Sequence, residues 1–367
     1  MTMARAGIDR AVSDLVARCH VGVDANSLIS DVVARLRRVL TVDAAFGAPV
    51  DPATLLFTGA VLWQIPPEAA SQFLSNEYLE DDVNKFRSLA SERSPAATLD
   101  GATGNHRPGS ARYREIMAPM GLGDELRVAL RSGGVCWGFL CLHREEATAG
   151  FTEAETRLVT RVAPHVGEGL RRALLVGEAI ASPESHGPGI LVLDADGSLV
   201  ATTPAGDRWL WELAGPDQPV GSLPVAVEAV LARLKALRGA AEPLEVQPRV
   251  RVRTRSGRWA VLHASEMAGL GARRHTAVVV EPAAPTELAP IILLAYGLTP
   301  REAEVARLVL QGKPTKVISW ELRISQHTVE DHLKAIFNKV GVGSRGELTA
   351  RVLSEHYSRE PKAGMHD

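Results

Sequence analysis

The chain has 367 residues, of which 46% are hydrophobic and 23% charged, and its formal net charge is −2. This length favours two or three domains, and the composition excludes a disordered, collagenous or acidic-tail protein. Near-neutrality argues against a whole-chain polyanion binder but leaves room for a local DNA-binding module of ordinary charge.

Two turn-rich breaks, 182–189 and Glu281–Pro285, divide the chain. They predict units at 1–181, 189–282 and 298–355, with a linker over 283–297. In the first unit, helical periodicity runs near 8–18 and 27–40. A strand-like stretch follows at Thr54–Val61, then a helix from Pro66 and Pro67 toward Leu79, and another over Ser110–Met117. Leu126, Val128 and Leu130 alternate, as do Val135, Trp137, Phe139 and Cys141, with Ser132–Gly134 between them as a hairpin turn. Strict alternation puts Trp137, Phe139 and Cys141 on one face, and puts Cys136 and Cys141 on opposite faces. Thr152 and Glu155 form a capping box opening a long helix to Ile180, with Pro164 expected to bend it. Val159, Val162, Val166, Leu170, Ala173 and Val176 give this helix a near-heptad apolar seam, which reads as a dimer contact.

This order, with its hairpin strand 136–144 (CWGFLCLHR) before a Phe-Thr-x-x-Glu helix, resembles a GAF domain over about 30–180. The resemblance implies a six-stranded sheet flanked by helices that senses a small molecule or partner. An α+β interaction domain of another family is the alternative.

In the middle unit Ile190–Leu193 and Leu199–Ala201 pair around Asp196 and Gly197. Helices follow near Ala205–Leu213 and Val225–Leu237. Strands then run over Arg249–Thr254, Arg258–Ala264 and Thr276–Val280. Asp194, Asp196 and Gly197 read as a turn, because the remaining ligands of a calcium loop are missing. The order, and the opening stretch LVLDADGSLVATTPAGDRWL, resemble a PAS domain. Trp209, Trp211 and Trp259 fit core packing.

The last unit is the most informative. Thr299 caps a helix that Pro300 opens and Gly312 ends. Val317, Ile318 and Leu322 mark a second helix. Ser325 caps a third and Ser344 a fourth, with Leu348 and Val352 on one face. On the third helix Val329, Leu333, Ile336 and Val340 share a side. His327, Asp331, Lys334 and Asn338 occupy the other, flanked by Thr328 and Glu330. A polar helix face braced by a second helix across a tight turn suits the major groove.

The stretch 298–353 resembles the DNA-binding domain of LuxR-family regulators in LTPREAEV, VIS, ISQHTVEDHLKAIFNKVGV and SRGEL. The resemblance implies phosphate contacts by Lys316 and Thr328, base reading by Glu330, Asp331 and Lys334, and a backbone-contact position for His332. Asn338 joins this candidate DNA-binding set from the wheel. The family's dimer contact falls on Ser344–Leu353. Pro314 and Trp320 depart from its usual capping and polar residues. Over Leu298–His356, nine basic and seven acidic residues leave only about +2, so affinity needs dimerisation and specific contacts.

Other sensor types fit less well. The first 180 residues lack the βα alternation of a receiver, no phosphate loop of Gly-x-x-x-x-Gly-Lys-Ser/Thr type occurs, and no acyl-homoserine-lactone ligand pattern is found. Trp63, Phe73, Tyr78, Phe86, Tyr113, Met117, Trp137 and Phe139 either line an apolar ligand cavity or pack as core. Cys141 and His143 share a face without completing a triad or metal site, and Cys19, Cys136 and Cys141 form no disulfide framework. Free thiols point to the cytoplasm. The start lacks a signal-peptide core, and the apolar run near Leu288–Leu298 is shorter than the roughly 18 residues of a membrane span.

The expected fold class is multidomain α+β: a GAF-like α/β sensor, a PAS-like α/β domain and an all-α four-helix helix-turn-helix. The expected function is a non-enzymatic, dimeric transcription regulator. Its partners would be double-stranded DNA, a second copy, a small apolar or aromatic effector and RNA polymerase, with no cofactor, metal or membrane. The alternative is a GAF-type enzyme or interaction scaffold with an accessory helix-turn-helix.

Overall fold

A computed structural model of the chain describes residues 2–175, 187–214, 222–239, 248–267 and 274–353. The first unit is built on strands β1 (Ala44–Pro49), β2 (Val61–Trp63), β3 (Ala96–Thr98), β4 (Leu122–Ser132) and β5 (Val135–Glu145), in the antiparallel order β2-β1-β5-β4-β3. Helices α1 (Thr2–Cys19), α2 (Ala25–Leu36) and α6 (Glu153–Ala173) cover one face. Helices α3 (Pro67–Leu79) and α4 (Phe86–Ser91) lie against the other, and α5 (Leu99–Thr103) follows β3.

Several expectations change here. The stretch expected as a strand over Thr54–Val61 is mostly irregular, with a single bridge between Val50 and Phe57, and β2 begins only at Val61. β1 escapes sequence reading because its small residues, Ala44, Ala45, Gly47 and Ala48, show no bulky alternation. Their size has a use: a Cβ at Gly47 would collide with Ile29 of α2. The sheet has five strands among the described residues, not six, since the chain after Pro66 turns helical. Ser110–Met117 is not a regular helix; a wide π-turn occupies Tyr113–Met117.

The hairpin carries the most consequential difference. Leu130 pairs with Gly138 but Arg131 pairs with Cys136, so Trp137 is an extra residue, a β-bulge. Beyond it the facing alternation is reset. Trp137, Leu140 and Leu142 join the α6 side, while Cys136, Phe139 and Cys141 join the α3–α4 side. Trp137 therefore does not share a face with Phe139, and Cys136 and Cys141 share one.

The seam of α6 is consumed inside its own unit. Val159, Val162, Val166, Leu170 and Ala173 are buried against α1, α2 and β4, so they form no free dimer surface. Pro164 lies within the continuous helix. Val176, Ile180 and the residues 182–186 of the first break lie outside the described residues. The capping box forms, with Thr152 Oγ1 accepting from Glu155 N and Glu155 Oε2 accepting from Thr152 N at 2.8 Å. Thr152→Ala is expected to cost about 1 kcal/mol, read as a lower urea midpoint with an unchanged slope.

The central unit has β6 (Gly189–Leu193), β7 (Leu199–Thr202), α7 (Pro204–Leu213), α8 (Val225–Gly239), β8 (Arg249–Arg253), β9 (Trp259–Met267) and β10 (His275–Pro282). Its antiparallel order, β7-β6-β10-β9-β8, repeats that of the first sheet. Asp194 Oδ1 accepts from Asp196 N and Ser198 N, which makes the expected turn. Trp209 and Trp259 are core, but Trp211 faces outward beneath the Arg255 guanidinium. Helix α8 packs on its own sheet and against α3, so the two units share one hydrophobic core.

The stretch expected as a linker contains α9 (Pro285–Ala295), apolar throughout after Glu287 and mostly buried. It packs between the central sheet, through Trp259 and Val261, and the last four helices: α10 (Pro300–Leu310), α11 (Thr315–Glu321), α12 (Gln326–Val340) and α13 (Arg345–Leu353). Leu348 and Val352 of α13 are buried against α9 and α10, so these two residues offer no dimer contact. No helix among the described residues is long and apolar enough to cross a membrane.

Candidate nucleic-acid interface and effector cavity

Helix α12 holds its orientation from both ends and one side. Ser325 Oγ accepts from Thr328 N at 3.0 Å, and Gly341 closes the helix in the left-handed conformation at φ 73°. Val329, Leu333, Ile336 and Val340 are buried. Lys339 Nζ ties it to α10 by donating to Glu302 at 2.6 Å, while Arg301 of α10 donates to the carbonyl of Leu322 at 2.6 Å and Arg345 of α13 to the carbonyl of Lys313 at 2.9 Å, holding the two ends of α11.

The outward face then carries Glu330, Asp331, Lys334 and Asn338, all exposed, with Thr328 and His332 half-buried beside them. Lys316 is exposed on α11. Asp331 lies 3.4 Å from Lys334 Nζ and 3.7 Å from His327 Nε2, so the Asp331 and Lys334 charges offset each other on the surface. The Thr328 hydroxyl already meets Ser325 Oγ at 2.8 Å. Pro314 precedes α11 with no side-chain cap, and Trp320 is 81% exposed.

A second candidate site is a cavity of about 1260 Å³ whose lining runs from the α3–α4 side of the first sheet, and from α1, α2 and α6, to the central unit. Of the eight predicted residues, Phe73, Phe86 and Trp137 line it. The other five are placed elsewhere. Trp63 lies under the Arg37 guanidinium, 3.4 Å from ring centre to carbon. Tyr113 donates its hydroxyl to Glu146 at 2.9 Å, and Met117 is packed with Ile65 and Leu99. Phe139 stacks on Phe86 at 4.5 Å, and Tyr78 packs beside Phe57. Phe46, Phe57, Glu77, Arg127, Cys141 and His143 line the cavity and were not predicted to. The shared face of Cys141 and His143 was the one available signal.

Beneath that wall lies a buried ionic cluster. Arg112 Nη2 donates to Glu125 at 2.7 Å and Arg127 Nη1 to Glu77 at 2.7 Å, while Arg127 Nε lies 3.1 Å from Glu125. Burial acts to raise the Glu125 pKa, but the guanidiniums of Arg112 and Arg127 outweigh it and hold the carboxyl well below the usual range. Burial pushes the Cys141 thiol up and lowers His143 to about 4. Ligand atoms of Glu125, Cys141 and His143 lie within 4.8 Å of one another. Two guanidiniums already occupy Glu125, so the cluster offers a metal ion little net negative charge.

Glu228 of α8 also lines the cavity, and burial pushes its pKa up to about 7. Its folded value lies above the ordinary carboxylate value, so its stabilising contribution falls as pH rises from about 4.5 to about 7. Glu228→Gln is expected to abolish that loss, about 1 kcal/mol per pH unit at most, in melting curves taken across the window.

The units are joined by Asp51, just after β1, and Arg251 of β8. Asp51 accepts from Arg251 N at 3.0 Å, Nε at 2.9 Å and Nη2 at 2.6 Å. Arg251 Nη1 donates onward to the carbonyl of Glu287 on α9 at 2.9 Å.

Residues 297–352 match the family of bacterial regulatory proteins described as the luxR family, and residues 24–170 match the GAF domain. The spore germination protein GerE of Bacillus subtilis is 43% identical over 56 residues, covering 15% of this chain and 76% of that one. An HTH-type transcriptional regulator of Aeromonas salmonicida is 47% identical over 51 residues, 14% of this chain. The chain spans only 26% of that relative's length. Among solved structures, Escherichia coli SdiA aligns at 12% identity over 94% of this chain and 96% of that one, with a TM-score of 0.34.

Proposed function

The chain belongs to the LuxR family of bacterial regulatory proteins, with a GAF domain ahead of its helix-turn-helix, and from that premise we propose that it is an effector-responsive, sequence-specific transcription regulator working as a dimer. The observation that carries the proposal is the exposed face of α12, polar along Glu330, Asp331, Lys334 and Asn338 while its other side is locked in place. Lys334 donates to guanine O6 and N7, and Glu330 and Asp331 accept from cytosine N4. Lys316 and Thr328 hold phosphates, with His332 at the backbone. RNA polymerase is the further partner that this reading implies.

The units are assigned to 1–181, 189–282 and 298–355, with α9 attached to the last. The central unit is PAS-like; its element order and its single five-stranded antiparallel sheet support this. The reading is one of binding rather than catalysis. Supporting it, the Cys141 thiol is kept protonated by burial and Glu125 is clamped by arginines, which disarms both as reactive groups.

The test is DNA binding by the full chain on selected operator fragments. Lys334→Ala is expected to lose about 1–3 kcal/mol and to relax base preference at one position. Lys316→Ala is expected to weaken all sequences alike and to reduce the salt slope by about one. Equal loss of sequence preference in both variants overturns the assigned roles. A monomer alone in light scattering, with and without DNA, overturns the dimer.

A further inference from the structure

Resting on the reading that the cavity holds the effector, we propose that its ligand is an uncharged, largely apolar molecule bearing a hydroxyl or N–H donor, which it presents to Nδ1 of His143. The wall around that position is aromatic, with Phe46, Phe57, Phe73 and Phe86 lining the cavity, and Phe73 meets the His143 ring at 5.8 Å between centroids. Such a wall takes a flat or alkyl body.

Charge is already balanced there. Arg112, Arg127 and Lys85 face Glu77, Asp82 and Glu125. Arg112 reaches Glu125 at 2.7 Å and Asp82 at 3.6 Å, and Arg127 reaches Glu77 at 2.7 Å. Lys85 Nζ donates to the carbonyls of Asn76 and Glu77. A charged group of either sign placed beside His143 would be buried with no counter-charge left for it there.

Hydrogen-bond direction fixes the polar end. Glu125 is ionised and only accepts. Cys141 Sγ lies 3.0 Å from Glu125 Oε1, so its one proton is donated there. His143 Nε2 lies 3.3 Å from the same sulfur, which therefore accepts from Nε2–H. That tautomer leaves Nδ1 as a lone-pair acceptor, and Nδ1 is buried with no partner among protein groups. An unmet buried acceptor is costly, and a ligand donor removes that cost. Ethers, hydrocarbons and carboxylates cannot.

The experiment measures binding of three probes to the full chain by calorimetry: 2-naphthol, 2-methoxynaphthalene and 2-naphthoate. The wild type is expected to bind 2-naphthol about tenfold more tightly than the ether, and the carboxylate most weakly. His143→Leu is expected to bind 2-naphthol and the ether alike. His143→Asn keeps a side-chain acceptor near the Nδ1 position and is expected to retain the preference. If the leucine variant does not fold, the wild-type ranking and the asparagine variant decide. No preference in the wild type, or tightest binding of 2-naphthoate, overturns this inference while the cavity reading stands. Binding of none of the three overturns the cavity as effector site, and this inference with it.

Discussion

Asp51→Ala is expected to destabilise the protein by about 3–5 kcal/mol, the cost of leaving a buried guanidinium without its counter-charge. Asp51 is buried, and its two oxygens take three donors from Arg251. Those donors come from a strand 200 residues away, in the central unit. Because Arg251 also donates to the carbonyl of Glu287, the loss reaches α9, on which the helix-turn-helix rests. The variant is therefore expected to blunt any change of DNA affinity that a cavity ligand causes in the wild type, since coupling needs a shared element that both sites bias. A double-mutant cycle with Arg251→Met checks the assignment. The pair is expected to lose less together than the sum of the single losses. A single-variant loss below about 1 kcal/mol would place this ion pair among the weak surface bridges instead.

Arg112→Met is expected to cost a similar amount, about 3–5 kcal/mol. The Arg112 side chain is fully buried and bonds Glu125, Asn76 and the carbonyl of Val83. The pH dependence separates this mechanism from simple loss of packing. In the wild type Glu125 titrates below its ordinary range, so its stabilising contribution is present above about pH 4.5 and is lost as the pH falls through the folded value. Without Arg112 the carboxyl moves upward. Protonation then relieves the buried charge, and the deficit relative to wild type is expected to shrink as the pH falls toward 4. A deficit constant across pH 4–8 would show that packing alone was lost.

Helix α12 was legible from the residues alone. Ser325, the spacing of Val329, Leu333, Ile336 and Val340, and Gly341 act within a few turns of one another, so local chemistry dictates both the helix and its outward face. The same holds for the Thr152 capping box and for the β4–β5 hairpin around Gly133 and Gly134, whose φ values are positive.

Facing and partnership were not local. The residues from Val135 to Cys141 alternate in sequence, yet one extra residue at Trp137 in the pairing with β4 resets which side chains face α3 and α4. The α6 seam has the same pattern whether a second chain or its own α1, α2 and β4 covers it, and the tertiary fold supplied the latter. β1 stayed invisible because strand propensity resides in bulky side chains and its residues are small. Helix periodicity and capping are short-range, so the helix-turn-helix and its polar face follow from neighbouring residues. Register and long-range burial join residues that no local pattern relates, so the cavity wall, the fate of the apolar seams and the Asp51–Arg251 link emerge with the folded chain.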